Sequence, residues 1–280
     1  MHTSTAGALE RAARLASELG ANTFQIFSAS PRMWRARLPE PAQIKLFRSA
    51  REHFDLHPLA IHASYLVNLA SADPLIRAKS IEGFRGELDR AALIGADYLV
   101  LHPGSYRGRS VEEGISAFAG AFAEACHGFA PSSLSVLIEN TAGCGAHIGS
   151  RFEELRELRH LAGNRADVPI GFCLDTCHLL ASGFDISTQS GLRSAIRSAE
   201  ETIGLDNVRL IHANDSKGKL GSRIDRHAGI GEGQIGSAGF RRMLTHPKLR
   251  DKPFILETPV DQEGDDRRNL DTLKRLARRR

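Results

Sequence analysis

Short apolar runs alternate with longer amphipathic stretches along the whole chain, the pattern of successive strand–helix units. Seven runs predict strands, at residues 23–27, 59–62, 98–102, 134–139, 170–175, 208–212 and 253–257. They are rich in Ile, Val, Leu and Phe and bounded by Gly, Pro or Asp, as expected for strands buried on both faces. Between them lie helical patterns. Residues 74–94 carry apolar positions at Leu75, Ile81, Phe84, Leu88, Ala91 and Ala92, and Gly95 is placed to cap that helix. A first helix is predicted over 6–19. No Ser/Gly-rich linker or charge block divides the chain, so residues 1–280 are expected to form a single (β/α)₈ barrel domain.

The residues at or near the ends of the seven runs are Gln25, His62, His102, Glu139, Asp175, His212 and Glu257, at intervals of 37, 40, 37, 36, 37 and 45. A spacing near 37 is one strand, one helix and two loops. Six of the seven are metal-ligand residue types. In a barrel, C-terminal strand ends meet at one face, so this series predicts convergence. Glu139, Asp175 and Glu257 each follow a strongly apolar run, and carboxylates gathered in such surroundings need compensating cations to stay ionised. A lone strand-end His or carboxylate is usually a hydrogen-bonded rim residue; the series is more specific than any member. Two further groups enlarge it. Asp175-Thr176-Cys177-His178 sets a carboxylate and an imidazole three residues apart, and Asp225-Arg226-His227 sits in the long interval before Gly231-Glu232-Gly233.

Composition changes this picture little. Hydrophobic residues at 41% and charged residues at 25% exclude a disordered chain, and no apolar run approaches the roughly 18 residues of a membrane helix. With no signal pattern at the N-terminus, the expected location is the cytoplasm. Cys126, Cys144, Cys173 and Cys177 are too few and too scattered for a disulfide framework and are expected to be reduced. A net charge of +4 permits a polyanionic partner without requiring one, and the basic run at 274–280 reads as a solvated helix end.

The segments carrying this chemistry resemble the endonuclease IV type of apurinic/apyrimidinic (AP) endonuclease. They are Ile61-His62-Ala63-Ser64-Tyr65-Leu66-Val67-Asn68-Leu69, Leu101-His102-Pro103-Gly104-Ser105, Ile138-Glu139-Asn140-Thr141-Ala142-Gly143, Cys173-Leu174-Asp175-Thr176-Cys177-His178, Ile211-His212-Ala213-Asn214-Asp215-Ser216, Asp225-Arg226-His227 and Leu256-Glu257-Thr258. The likeness runs in order from about residue 2 to the C-terminal helix. It implies a TIM barrel holding three Zn²⁺ ions, with Mn²⁺ or Fe²⁺ acceptable at some sites. His62 and His102 would hold one ion and share it with a second through bridging Glu139. Asp175, His212 and Glu257 would complete the second site, and His178, Asp225 and His227 the third. The implied reaction is hydrolysis of the phosphodiester 5′ to an abasic site, leaving a 3′-hydroxyl, with Glu139 and Glu257 as catalytic carboxylates. Double-stranded DNA containing an abasic site is the implied partner, bound by a monomer. Arg32, Tyr65 and Leu66 match the residues that fill the gap left by the missing base. Trp34 reads more simply as loop packing. Ala63 departs from the family pattern, standing where an acidic residue is common.

Two other readings compete. A sugar isomerase or epimerase on the same barrel would hold one or two ions with about four ligands, fewer than are present here. A DNA-binding module with a structural metal cluster would bind without turnover. The N-terminus carries one further expectation. Only Met1 precedes His2, so the first strand looks truncated, with a frayed seam beside residues 23–27 and 253–257.

Overall fold

The computed structural model describes residues 1–129 and 133–278, so Arg279 and Arg280 of the basic tail lie outside the described residues. The chain forms two compact units. One comprises residues 2–139 and 157–171; the other comprises residue 1, residues 140–156 and the chain from 172 onward. Each of the seven apolar runs contains a strand.

The first unit contains α1 (Leu9–Leu19), β1 (Phe24–Phe27), α2 (Pro41–His53), β2 (Leu59–His62), α3 (Pro74–Ile94), β3 (Tyr98–Leu101), α4 (Val111–Cys126) and β4 (Ser135–Glu139). Its strands are parallel in sequence order, with Phe27 opposite His62, His62 opposite Val100 and Leu101 opposite Ile138. Parallel neighbours need crossover connections, and the helices supply them while covering apolar strand faces. Phe24, Ile26, Leu59, Ile61, Leu99 and Val136 are fully buried. Behind them Phe84 and Phe122 meet at 5.6 Å between ring centroids, across α3 and α4. Truncating either ring to Ala would cost about 3–5 kcal/mol.

Helix α3 spans the predicted residues. Asp73 caps it by accepting from the amides of Leu75 (2.8 Å) and Ile76 (3.1 Å), Pro74 fits its first turn, and Gly95 closes it in the left-handed conformation. Helix α1 starts later than the amphipathic pattern suggests. The Ser4 hydroxyl accepts from the Ala6 amide in a turn and Ala8 is extended, so Leu9 is the first helical residue. Gln25 does not end its strand either. β1 continues to Phe27, and Gln25 instead pairs with Ala60 and with His2. The Thr3 amide donates to the Gln25 carbonyl at 2.8 Å, and the Gln25 and His2 side chains meet at 3.1 Å.

Helix α5 (Phe152–Gly163) and β5 (Ile170–Asp175) carry the chain between the units. The second unit continues with α6 (Thr176–Ser182), α7 (Gln189–Thr202), β6 (Val208–Ala213), β7 (Asp215–Ser216), β8 (His227–Ala228), α8 (Gly236–Thr245), β9 (Phe254–Leu256) and α9 (Asp265–Ala277). Strands β5, β6 and β9 are parallel, with Asp175 opposite His212 and Ala213 opposite Leu256. The long 212–257 interval therefore contains an antiparallel pair, β7 with β8, and one helix. Among the described residues no helix is long and apolar enough to cross a membrane.

Candidate metal centre

In the first unit β2 ends on His62, β3 delivers His102 one residue past its end, and β4 ends on Glu139. Neighbouring parallel strands bring these side chains together. Glu139 is 1% exposed, and one of its oxygens, Oε2, lies 3.3 Å from His62 Nε2 and 3.2 Å from His102 Nε2. His62 Nδ1 donates to the Ala63 carbonyl at 2.7 Å, which fixes the ring with Nε2 facing the carboxylate. The His102 loop is held by Asn68. Asn68 Oδ1 accepts from the Ser105 amide at 2.9 Å, and its Nδ2 donates to the Ser105 carbonyl at 3.2 Å. Gly104 has φ +105, and a Cβ there would fall 2.1 Å from Asn68 Oδ1, so the turn requires glycine.

The second unit brings together Asp175, His212 and Glu257, with His212 Nδ1 3.1 Å from Glu257 Oε2. Asn214 ties the two carboxylates, its Nδ2 donating to Asp175 Oδ2 (2.5 Å) and Glu257 Oε2 (3.4 Å). Its Oδ1 accepts from the Glu257 amide at 2.9 Å, and Asn140 Oδ1 accepts from the Asp175 amide at 2.6 Å. The other oxygen of Asp175 caps α6, accepting from the His178 amide at 2.8 Å.

His178, Asp225 and His227 form a third group. His178 Nδ1 donates to the Asn140 carbonyl (2.9 Å) and its Nε2 lies 3.2 Å from Asp225 Oδ2. His227 Nδ1 donates to the Glu257 carbonyl at 3.1 Å. Its buried Nε2 has no hydrogen-bond partner among the described residues, although Asp225 Oδ1 at 3.4 Å and Asp175 Oδ2 at 3.8 Å attract it. Burial opposes charge on both members of the pair, yet attraction wins. Ion pairing with His178 and His227 holds the Asp225 carboxyl well below the usual range. Asp225, then Asp175 and Glu257, raise His227 to about 9. A buried imidazole nitrogen aimed at two carboxylates is a place for a cation, and oxygen and nitrogen donors at this spacing suit a divalent metal.

Residues 13–278 match the xylose isomerase-like TIM barrel family. The chain is 66% identical over 277 residues to a probable endonuclease 4 of Solibacter usitatus, covering 99% of this chain and 96% of that one. The crystal structure of an endonuclease IV from Thermus thermophilus superposes with a TM-score of 0.88 at 39% identity, covering 99% and 97% of the two chains. The chain belongs to the endonuclease IV family. Its fold is the TIM barrel expected from the sequence. A D-tagatose 3-epimerase-like protein, 18% identical with a TM-score of 0.70 over 98% of this chain and 96% of its own, shares the fold alone. The endonuclease IV family is metal-dependent, in keeping with the clustered ligands.

The nine expected ligands thus fall into groups of three, one in the first unit and two in the second. Of the residues expected to read DNA, Tyr65 stands beside the first group. Arg32 and Tyr65 are exposed, and the Tyr65 ring lies 5.3 Å from Phe27 and 5.4 Å from His62. Trp34 is half-buried along α3, where a Cβ on Gly83 would meet its ring, as its packing reading requires. The four cysteines are free thiols; burial pushes Cys126 and Cys177 up to about 12.

Asn140, Asn214 and Asp215 are supports that periodicity alone does not single out. Buried Asp215 accepts five backbone amides. Ser216 (2.8 Å) and Ile235 (2.9 Å) donate to Oδ1, and Gly231 (3.1 Å), Gly233 (3.0 Å) and Gly236 (3.1 Å) to Oδ2. This cradle pins the start and end of the loop carrying Asp225 and His227. A Cβ on Gly233 would lie 2.4 Å from the Ser216 carbonyl oxygen, so the cradle admits no side chain there. The signal that could have found it is the glycine spacing at 229, 231, 233 and 236, which by itself says only that the loop is Gly-rich.

Proposed function

We propose that the protein is a zinc-dependent AP endonuclease that hydrolyses the phosphodiester 5′ to an abasic site in double-stranded DNA, leaving a 3′-hydroxyl. The observation that carries this reading is the shared orientation of three histidines. His62, His178 and His227 each give Nδ1 to a backbone carbonyl and turn Nε2 toward carboxylates, within a chain 66% identical to a probable endonuclease 4. Three ions are proposed. His62, His102 and Glu139 would hold one; Asp175, His212 and Glu257, with Glu139 bridging, the second; and His178, Asp225 and His227 the third. Zn²⁺ suits these donors, with Mn²⁺ or Fe²⁺ acceptable at some positions.

When bound, such ions bring the pKa of a water toward about 7 and offset the negative charge that builds on phosphate oxygens. The chain's own residues do the rest. Asn140 and Asn214 keep Asp175 and Glu257 in position, so little reorganisation is needed when substrate arrives. Glu257, 14% exposed at its side chain, would orient the attacking water, while Glu139 supplies charge from a site closed to solvent. Arg32, Tyr65 and Leu66 would occupy the space of the missing base. The same reading makes the chain one catalytic domain acting as a cytoplasmic monomer.

Incubating the purified protein with an abasic-site duplex and the matching intact duplex tests this directly. Incision only of the first, with a product that a polymerase extends without further processing, is the expected result. Binding without incision by metal-replete protein would refute it.

A further inference from the structure

A buried ion pair in the first unit touches neither proposed ligands nor solvent. Glu87 and Arg90, one turn apart on α3, are 4% and 5% exposed, with Arg90 Nη2 3.1 Å from Glu87 Oε1. Burying such a pair is a poor way to gain stability, because desolvation consumes most of the attraction. What the pair does is join two loops. Glu87 Oε2 accepts from the Ser28 hydroxyl at 2.5 Å, just after β1, and Arg90 Nε donates to the same hydroxyl at 2.7 Å. Glu87 Oε1 accepts from the Ser64 amide at 3.4 Å, two residues after β2. Ser64 extends the link: its hydroxyl donates to the Pro31 carbonyl at 2.8 Å and accepts from the Leu66 amide at 3.3 Å.

The loop after β1 carries Arg32 and the loop after β2 carries Tyr65 and Leu66. One carboxylate on a capped, 21-residue helix therefore references both loops to the same rigid element. We propose that Glu87, with Arg90 as its countercharge, is a positioning residue for lesion recognition, fixing Arg32 relative to Tyr65 and Leu66. This rests on the reading that those three residues contact abasic DNA. Positioning matters because residues that fill a gap only one base wide lose stacking when displaced by about an ångström.

The single tryptophan, Trp34, lies in the first loop against α3 and reports loop order without any substrate. Glu87→Gln and the milder Ser28→Ala, which removes only the shared hydroxyl, should raise KM for an abasic duplex roughly tenfold, the upper range for one hydrogen bond. They should leave kcat within about twofold and metal content unchanged, since no proposed ligand is touched. Both should make Trp34 more accessible to iodide quenching. Glu87→Asp, which keeps the charge on a shorter arm, should recover part of the KM. Should Glu87→Gln fail to fold, Ser28→Ala carries the same test. Unchanged KM despite greater Trp34 quenching would overturn the proposal, as would a fall in kcat that tracks metal loss. Arg32→Ala and Tyr65→Ala serve as controls. If they leave abasic recognition intact while Glu87→Gln still loosens Trp34, the contact reading has failed and takes the recognition role with it.

Discussion

The His62, His102 and Glu139 group and the His178, Asp225 and His227 group are built on different principles. The first stands at the ends of neighbouring strands, with Glu139 sealed from water and the strands themselves buried. The second draws one ligand from a short helix, one from a loop and one from the two-residue strand that follows it, and the Asp225 side chain is 44% exposed. Strand ends are positioned by the sheet; a loop must be positioned by something else, and here Asp215 does it with five backbone amides. Similar ligand types can thus be held by a fold or by a clasp, with different vulnerabilities.

The largest expected effect is at the strand-end group. Glu139→Gln removes charge from a ligand proposed to serve two ions and should lower kcat at least about 100-fold without unfolding the protein. Single-turnover incision rates check this, and near-normal activity would break the bridging role. Asp215→Asn comes next. It retains one acceptor oxygen where the cradle uses two, so metal held by the loop group should be lost first. A fall of roughly 10- to 100-fold in activity, restored in part by added zinc, is expected. Equal loss from all groups by elemental analysis would show that the clasp is not local.

Proton competition sharpens the same contrast. In the metal-free protein His227 is raised to about 9, so it holds a proton at neutral pH that an ion must displace. Uptake by the loop group should strengthen about tenfold per pH unit and level off near pH 9. The sign for the metal-free protein is the reverse. Stability from the protonated imidazole is fully present below its ordinary pKa of about 6.5 and is lost as pH rises through about 9. Titration calorimetry in buffers of different ionisation enthalpy counts the released protons; no release at pH 7 would contradict the assignment. The smallest effect belongs to His147→Ala and His160→Ala. Both side chains are exposed, one in a loop and one on α5, and activity should stay within about twofold.

The contrast also explains what can be read from the chain. His62, His102, Glu139, Asp175, His212 and Glu257 are legible because a repeating strand–helix unit spaces them evenly, and burial of the preceding runs gives their charges meaning. Gln25 belongs to the same series by spacing but lies two residues before the end of β1, since register depends on neighbouring strands rather than on a count. Asn140, Asn214 and Asp215 stay unassigned because their partners are mostly main-chain amides and carbonyls, present at almost every residue and so carrying no mark in the sequence. Helix α1 begins late for a related reason: a Ser hydroxyl and an extended Ala decide it, and neither alters the amphipathic pattern.

The bond from His62 Nδ1 to the Ala63 carbonyl bears on how such a site drifts over time. An imidazole oriented by a neighbouring side chain ties two positions together, so that one cannot change without the other. A main-chain oxygen comes with any amino acid, and position 63 is thereby released from a duty to its histidine. Ala63 can be small and apolar while His62 keeps its orientation and aim. A library randomised at position 63 and selected for incision should accordingly return many small uncharged residues, limited by the buried space rather than by the chemistry next door.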